Sequence, residues 1–146
     1  QGCPKDGDVT TYMHELGHNL NLLHGGFEDC NYKPNYNSIM NYSYNYAFRD
    51  CATEVQADLS YSSGLLADLD ENSLNEAQGV CDAVAIDWNV DGVIATIQYN
   101  VNSAEASQQE NCGGTFTVLK DHDDWTNLVY LGPANSEFMF PVRILE

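Results

Sequence analysis

Three histidines at fixed spacing constrain this chain more than any other feature. His14 and His18 are four residues apart, and His24 follows six residues later. On an α-helix, residues four apart lie one turn apart on the same face, so the first two imidazoles can bind one zinc ion. Glu15 lies directly beside the first histidine, where a carboxylate can take a proton from a zinc-bound water.

The third histidine can reach the same metal only if the helix ends before it. On a continuous helix, His24 would lie about 9 Å beyond His18 and on roughly the opposite face. Asn21 offers the break, because asparagine readily adopts the left-handed conformation that ends helices. We therefore predict a helix that stops near residue 21. His14, His18 and His24 then form a zinc site with an open fourth position, which is the catalytic pattern.

Two motifs carry a resemblance to a known family. The segment HELGHNLNLLH resembles the metzincin zinc-peptidase signature HExxHxxGxxH, as in secreted bacterial members, with Asn21 in place of the family's glycine. The segment SIMNY, at residues 38–42, resembles the metzincin Met-turn. The resemblance spans residues 9 to about 45. It implies peptide hydrolysis, Met40 beneath the metal, and a Tyr42 hydroxyl that reaches the zinc or the transition-state oxyanion.

The same resemblance implies the fold class and the division of the chain. We expect an α+β fold in which residues 1–80 form a metzincin-like active-site (lower) subdomain, and residues 81–146 form a small β-containing extension. Metzincins carry a large upstream subdomain above their cleft, whereas only 13 residues precede His14. We therefore expect an upstream segment of the same protein as a partner of this chain.

Local patterns predict the remaining elements. The predicted caps of the zinc helix are Asp8, Thr10 or Thr11, and its predicted core face is Tyr12, Met13, Leu16 and Leu20. A second helix is predicted over residues 71–78, with Asp70 as its cap, Leu74 and Ala77 inward and Gly79 after its end. Alternation of apolar and polar residues predicts a strand over 93–101, and a further strand and a short helix are predicted at 115–119 and from Asp123 or Asp124.

A second candidate metal site lies in the extension. Asp87, Asn89 and Asp91, followed by Gly92, place oxygen ligands at alternate positions before a turning glycine, as at the start of a calcium loop. The carbonyl of Val93 would be the next ligand. The closing glutamate of an EF-hand is absent, so a carboxylate must come from elsewhere, with Asp121, Asp123 and Asp124 as the candidates. The alternative is a hairpin turn of Asx type without an ion.

Composition narrows the function classes. The chain has 22 acidic and 5 basic residues and a formal net charge of −17, which excludes nucleic-acid binding because phosphate contacts need lysine and arginine. The sequence contains no run of 18 apolar residues, so no membrane span is predicted. Five scattered cysteines favour disulfides in a secreted protein, with Cys30–Cys51 and Cys81–Cys112 as the predicted pairs, Cys3 left over, and buried thiols as the alternative.

These observations favour a secreted zinc metalloendopeptidase in which Glu15 is the general base and a protein or peptide is the substrate. Two alternatives stay open. In gluzincins a downstream glutamate is the third ligand, and Asn75-Glu76 begins such a motif, although Val80 stands where its aspartate belongs. The chain can also be a non-catalytic binding or adhesion module stabilised by zinc and calcium, although a structural zinc has no use for a base at Glu15.

Overall fold

The computed structural model describes residues 6–44, 48–49, 56–57, 59–81, 84–102 and 116–130. Within these residues the chain forms two helices and six two-residue strands, joined by long turns: α1 (Asp6–Asn19), β1 (Phe48–Arg49), β2 (Gln56–Ala57), β3 (Leu69–Asp70), β4 (Leu74–Asn75), β5 (Thr96–Ile97), β6 (Val118–Leu119) and α2 (Asp124–Asn127). None of the helices in this part of the chain has the length and apolar character needed to cross a membrane.

The strands form three separate antiparallel pairs. β1 pairs with β2, β3 with β6 and β4 with β5. In the second pair Leu69 is opposite Leu119, and in the third pair Leu74 is opposite Ile97. The second and third pairs each join residues from the two sides of the predicted domain boundary at residue 80.

Helix α1 presents a different face to the interior from the predicted one. Thr10, His14 and Gly17 are buried, whereas Tyr12 is 68% exposed and Leu16 is 37% exposed. The predicted core face was therefore wrong for these two apolar residues, because the inward stripe of the helix holds the first histidine and a glycine. The predicted caps Asp8, Thr10 and Thr11 were also wrong, since the helix begins at Asp6 and contains all three.

The end of α1 confirms the predicted break. Asn21 has φ of 71°, in the left-handed region. The amide of Leu22 donates to the carbonyl of Gly17 (2.9 Å), and the amide of Asn21 donates to the carbonyl of His18 (3.1 Å). This pair of bonds is the Schellman motif, in which a left-handed residue closes the helix and satisfies its last carbonyl groups. The chain then reverses direction, as a His24 ligand requires.

The interior consists of two clusters of buried side chains. The first lies beneath α1 and contains Leu22, Tyr36, Ile39, Met40 and Tyr61. The second lies around the short strands and contains Cys30, Leu69, Leu74, Val80 and Leu119, with Cys81 packed against it. Cys3, Cys51 and Cys112 lie outside the described residues, so the predicted disulfide pairs stay predictions.

The segment between α1 and the Met-turn is held by asparagine side chains. The Asn35 amide donates to the carbonyls of Ala67 and Leu119, each at 2.9 Å. The Asn41 amide donates to the carbonyls of Lys33 (2.7 Å) and Tyr36 (2.8 Å). Both asparagines are fully buried. Side-chain amides thus take the place of a backbone ladder in this irregular segment.

The predicted helix over residues 71–78 was wrong, because this segment consists of turns around β4. Two fully buried carboxylates organise it by binding backbone amides from distant segments. Glu71 accepts from the amides of Val101 and Thr117, both at 2.9 Å. Glu76 accepts from the amides of Trp88 (2.8 Å) and Ala95 (3.0 Å).

The last elements match their predictions in part. The strand predicted over 93–101 is shorter, since only Thr96–Ile97 forms a ladder. The strand predicted at 115–119 is confirmed at Val118–Leu119. Helix α2 begins after Asp123, whose side chain accepts from the Thr126 amide, so the predicted cap is confirmed.

Candidate metal centre

The three predicted histidines come together at the end of α1. One ligand atom from each of His14, His18 and His24 lies within 4.8 Å of the others. Among the described residues, this is the single group of three or more histidine, cysteine or acidic side chains arranged in this way. His14 is buried and the other two are half-buried, so the group is partly accessible from the surface. His122 is not a member of it.

Backbone carbonyls orient the first two rings. His14 Nδ1 donates to the carbonyl oxygen of Ile39 at 3.0 Å, and His18 Nδ1 donates to that of Leu22 at 2.9 Å. A carbonyl oxygen can only accept, so each Nδ1 carries a hydrogen, and in its neutral form each ring presents a lone pair at Nε2. Metal-binding histidines are commonly fixed in this way by a partner on the other ring nitrogen.

The spacing of the two Nε2 atoms is compatible with a shared metal ion. They lie 3.1 Å apart, within hydrogen-bonding distance of each other. Two lone pairs at this distance repel unless a cation or a proton lies between them. Two nitrogens bound tetrahedrally to one zinc at 2.0–2.1 Å lie about 3.3 Å apart. The pair is therefore spaced as two ligands of a single metal ion.

The third ring is held by an acidic side chain that sequence reasoning missed. His24 Nδ1 lies 3.3 Å from Asp29 Oδ1, which leaves Nε2 as the atom that His24 can offer to a metal. The His24 ring lies 5.3 Å from that of His14 and 4.9 Å from that of His18, measured between ring centroids. Asp29 belongs to no motif in the sequence, and only the turn at Asn21 brings its loop back to the site.

Tyr42 lies beside the histidines, as the resemblance implied. Its ring centroid is 4.6 Å from that of His24 and 5.5 Å from that of His14. The Asn31 side chain accepts from the Tyr42 amide at 3.0 Å and thereby fixes the backbone that carries the ring. Tyr42 is 40% exposed, so its ring borders both the histidine group and solvent.

Met40 lies under α1, at the closest approach between the helix and the Met-turn. Met40 is fully buried, and a β-carbon added at Gly17 would collide with its sulfur atom. The same β-carbon would lie 3.1 Å from the Tyr61 ring. Gly17 therefore lets the helix rest directly on the Met-turn. The cost to helix propensity, about 1 kcal/mol relative to alanine, is offset by this packing.

The electrostatics of the site favour a neutral imidazole at His14. Burial lowers the pKa of His14, and the neighbouring His18 and His24 lower it further, against the opposing effect of the bond to the Ile39 carbonyl. A neutral imidazole is the form that binds a metal ion. Glu15 is exposed on α1 and its charge also acts on His14, in the direction that raises this pKa.

The candidate calcium loop is a compact turn. Asp87 accepts from the amides of Asp91 (3.1 Å) and Gly92 (2.7 Å), and Asp91 accepts from the Val93 amide (2.8 Å). Gly92 has φ of 84°, which is the turning conformation predicted for it. The side chain of Asn89 also lies in this turn, where its amide donates to Asp91 at 2.9 Å.

The three candidates for a closing calcium ligand accept hydrogen bonds elsewhere in the fold, and their role as calcium ligands stays a prediction. Asp121 accepts from Ser62 Oγ and from the Leu66 amide. Asp123 caps α2, and Asp124 is fully buried against the Met-turn. All three carboxylates are therefore engaged in other parts of the fold. The calcium site stays a prediction based on Asp87, Asn89, Asp91 and Val93.

No family model matches the sequence, and neither a curated protein nor a solved structure is significantly similar to the chain. The metzincin resemblance therefore depends on the two short motifs, and support for a function comes from the geometry of the site.

Proposed function

We propose that this chain contains the active site of a secreted zinc metalloendopeptidase of metzincin type, with an α+β fold. The observation that supports this most is the spacing of the His14 and His18 Nε2 atoms, 3.1 Å apart with both Nδ1 atoms bonded to carbonyls. The acidic charge of −17 and the five cysteines support an extracellular setting, and a protein or peptide is the proposed substrate.

His14, His18 and His24 would hold the zinc ion, and Asp29 orients the last of them. When bound there, zinc acidifies water and polarises a peptide carbonyl. The protein itself provides the proton transfer: the Glu15 carboxylate accepts a proton from the attacking water and delivers it to the leaving amine. The Tyr42 ring borders the histidines, where its hydroxyl can donate a hydrogen bond to the developing oxyanion.

The decisive experiment replaces Glu15 by glutamine in the full chain. The change keeps the size of the side chain and removes its basicity, so zinc content and fold should be retained while peptide hydrolysis is lost. Zinc is measured by elemental analysis, and hydrolysis with gelatin and a pool of quenched fluorescent peptides. Asp68→Asn is the matched control, because it neutralises an exposed carboxylate outside the histidine group.

The outcomes separate the two functional hypotheses. Hydrolysis that a zinc chelator stops, added zinc restores and Glu15→Gln abolishes supports the peptidase. Unchanged turnover in Glu15→Gln removes this carboxylate from the mechanism. A parent protein that binds zinc but cleaves none of the peptides supports the non-catalytic binding module instead.

A further inference from the structure

The first residue of α2 makes an unexpected set of contacts. Asp124 is fully buried, and its carboxylate accepts from side chains and backbone that lie more than 60 residues earlier in the chain. Tyr36 donates its hydroxyl to Asp124 Oδ1 at 2.8 Å. Ser38 Oγ and the Ser62 amide donate to Oδ2 at 2.6 and 2.9 Å. Two earlier segments, residues 36–38 and residue 62, therefore meet α2 at one carboxylate.

This arrangement is a costly way to fill a core. Burial raises the pKa of Asp124, and the bonds from Ser38, Ser62 and Tyr36 offset that effect only in part. A buried carboxylate is tolerated when its oxygens are hydrogen-bonded, but an apolar side chain of similar size often serves stability equally well. The specific contribution of Asp124 is therefore geometric, because its fixed oxygens determine where the three donors lie.

The contacts continue from Asp124 to the histidine group. Ser38 Oγ donates to Asp124 and also accepts from the Met40 amide at 3.1 Å. Ile39 lies between these two residues, and its carbonyl accepts from His14 Nδ1 at 3.0 Å. The turn that orients His14 is thus fixed on its far side by Ser38 and, through it, by Asp124.

We propose that Asp124 is a positioning residue for the metal centre, acting through Ser38 and the Met-turn on the orientation of His14. This inference depends on the proposed zinc site but concerns how the site is held. Asp124 fixes Ser38, Ser38 fixes the backbone at Met40, and the Ile39 carbonyl then aims His14 Nε2 at that of His18. Helix α2, which begins 100 residues after His24, is on this account a functional part of the site.

Two substitutions at Asp124 separate hydrogen bonding from charge and from packing. In Asp124→Asn the amide oxygen can keep the bonds from Ser38 and Ser62, while the amide nitrogen faces the Tyr36 hydroxyl, which can rotate to accept. Asp124→Leu has a similar shape but accepts nothing. We expect the asparagine variant to stay within about threefold of the parent in zinc affinity and the leucine variant to lose about 10- to 100-fold, the usual effect of removing an outer-shell partner.

Two measurements test this without using catalysis. Zinc affinity is obtained by competition with a chromophoric chelator, and the visible spectrum of the cobalt-substituted protein reports the coordination geometry. Trp125→Phe is the matched control on the same helix, because it removes the indole bond to the Tyr61 carbonyl and leaves the side chains of Asp124 and Ser38 in place. The control should keep the parental cobalt spectrum, whereas Asp124→Leu should change it.

The possible results are distinct. If Asp124→Leu does not fold, Ser38→Ala is the test. It removes the hydroxyl that links Asp124 to the Met40 amide and should therefore change the same cobalt spectrum. Parental affinity and spectrum in folded Asp124→Leu, or in Ser38→Ala, would overturn the inference while leaving the zinc site intact. Equal losses of zinc affinity in Asp124→Asn and Asp124→Leu would assign the effect to the charge of Asp124. That result would also overturn the inference that Asp124 acts through its hydrogen bond to Ser38. A parent that binds no zinc would instead refute the proposed function.

Discussion

Residues 13–44 and 69–102 are of similar length, and both consist largely of turns, but they are organised in different ways. In the first segment a helix ends in a Schellman motif and the backbone returns to bring three histidines together. In the second, the buried carboxylates of Glu71 and Glu76 bind amides from separate turns, and the strands among its described residues (69–81 and 84–102) are two residues long.

The difference shows which kind of structure a sequence pattern can predict. Histidine spacing and a helix-ending asparagine act within about ten residues, where helix geometry is known in advance. A glutamate that binds amides 12 and 19 residues away acts through the finished tertiary structure. The same glutamate in a run of polar residues looks like an exposed helical position, and the predicted helix over 71–78 was wrong for this reason.

The largest effect should come from comparing one substitution in each of the two regions. His24→Ala should lose zinc by elemental analysis, because one of the three proposed ligands is removed. Glu76→Gln should keep zinc but lower the free energy of unfolding by about 1–3 kcal/mol. Both oxygens of Glu76 bind backbone amides, which cannot reverse, so the glutamine NH₂ group must face one of these donors.

The gluzincin alternative predicts the opposite pattern. If Glu76→Gln loses zinc while His24→Ala keeps it, Glu76 is the third ligand and the metzincin interpretation is wrong. Denaturant unfolding with zinc in excess, together with metal analysis of the folded fraction, distinguishes loss of a ligand from loss of structure.

A smaller effect should come from calcium at the loop of Asp87, Asn89 and Asp91. Carboxylates crowded in a chain of net charge −17 repel one another, and a cation bound only by the native state relieves this. Calcium at a hundredfold excess over its dissociation constant should stabilise the fold by about 2.7 kcal/mol. The melting temperature of the zinc-loaded protein should therefore rise with added calcium, and Asp87→Ala should abolish the rise.

Asp70→Ala is the matched control for the calcium experiment. Asp70 Oδ1 accepts from the Asn72 amide at 3.0 Å in a similar exposed turn outside the loop, so this variant should keep the calcium response. A parental melting curve that ignores calcium would make the loop an Asx turn, held by the Asp87 and Asp91 bonds to its own amides.

The histidines and Tyr42 of the candidate site could be predicted from the sequence, but the groups that orient the histidines could not. His14, His18, His24 and Tyr42 come together as their spacing and the Met-turn resemblance indicated. The partners that orient them had no signal in the sequence: two are backbone carbonyls, and Asp29 lies in an irregular loop. Such contacts depend on how the chain folds back after α1, which no local pattern specifies.

Lys33 illustrates the same limit. Its side chain is completely buried, and its ammonium donates to the carbonyls of Gly25 (2.7 Å) and Lys120 (2.8 Å) and to the Glu28 carboxylate (3.0 Å). In the sequence it is an ordinary lysine, the residue type that is among the least often buried. Only the completed fold supplies the three oxygens that make its burial possible.

The smallest expected effect concerns Gly17, which in the sequence is a weak point of the zinc helix. In an exposed helix, Gly→Ala stabilises by about 1 kcal/mol. Here the added methyl group would collide with the Met40 sulfur, and overpacking of a core typically costs about 1–3 kcal/mol. We expect Gly17→Ala to lower the free energy of unfolding by about 1 kcal/mol and to weaken zinc binding, because α1 must move away from the Met-turn.

The same substitution in a Met40→Ala background meets no sulfur and should be less destabilising by at least about 0.5 kcal/mol, the coupling expected of residues in contact. A Gly17→Ala effect that is equal in both backgrounds would show that the helix does not rest on Met40, and that the two regions differ less than their contacts indicate.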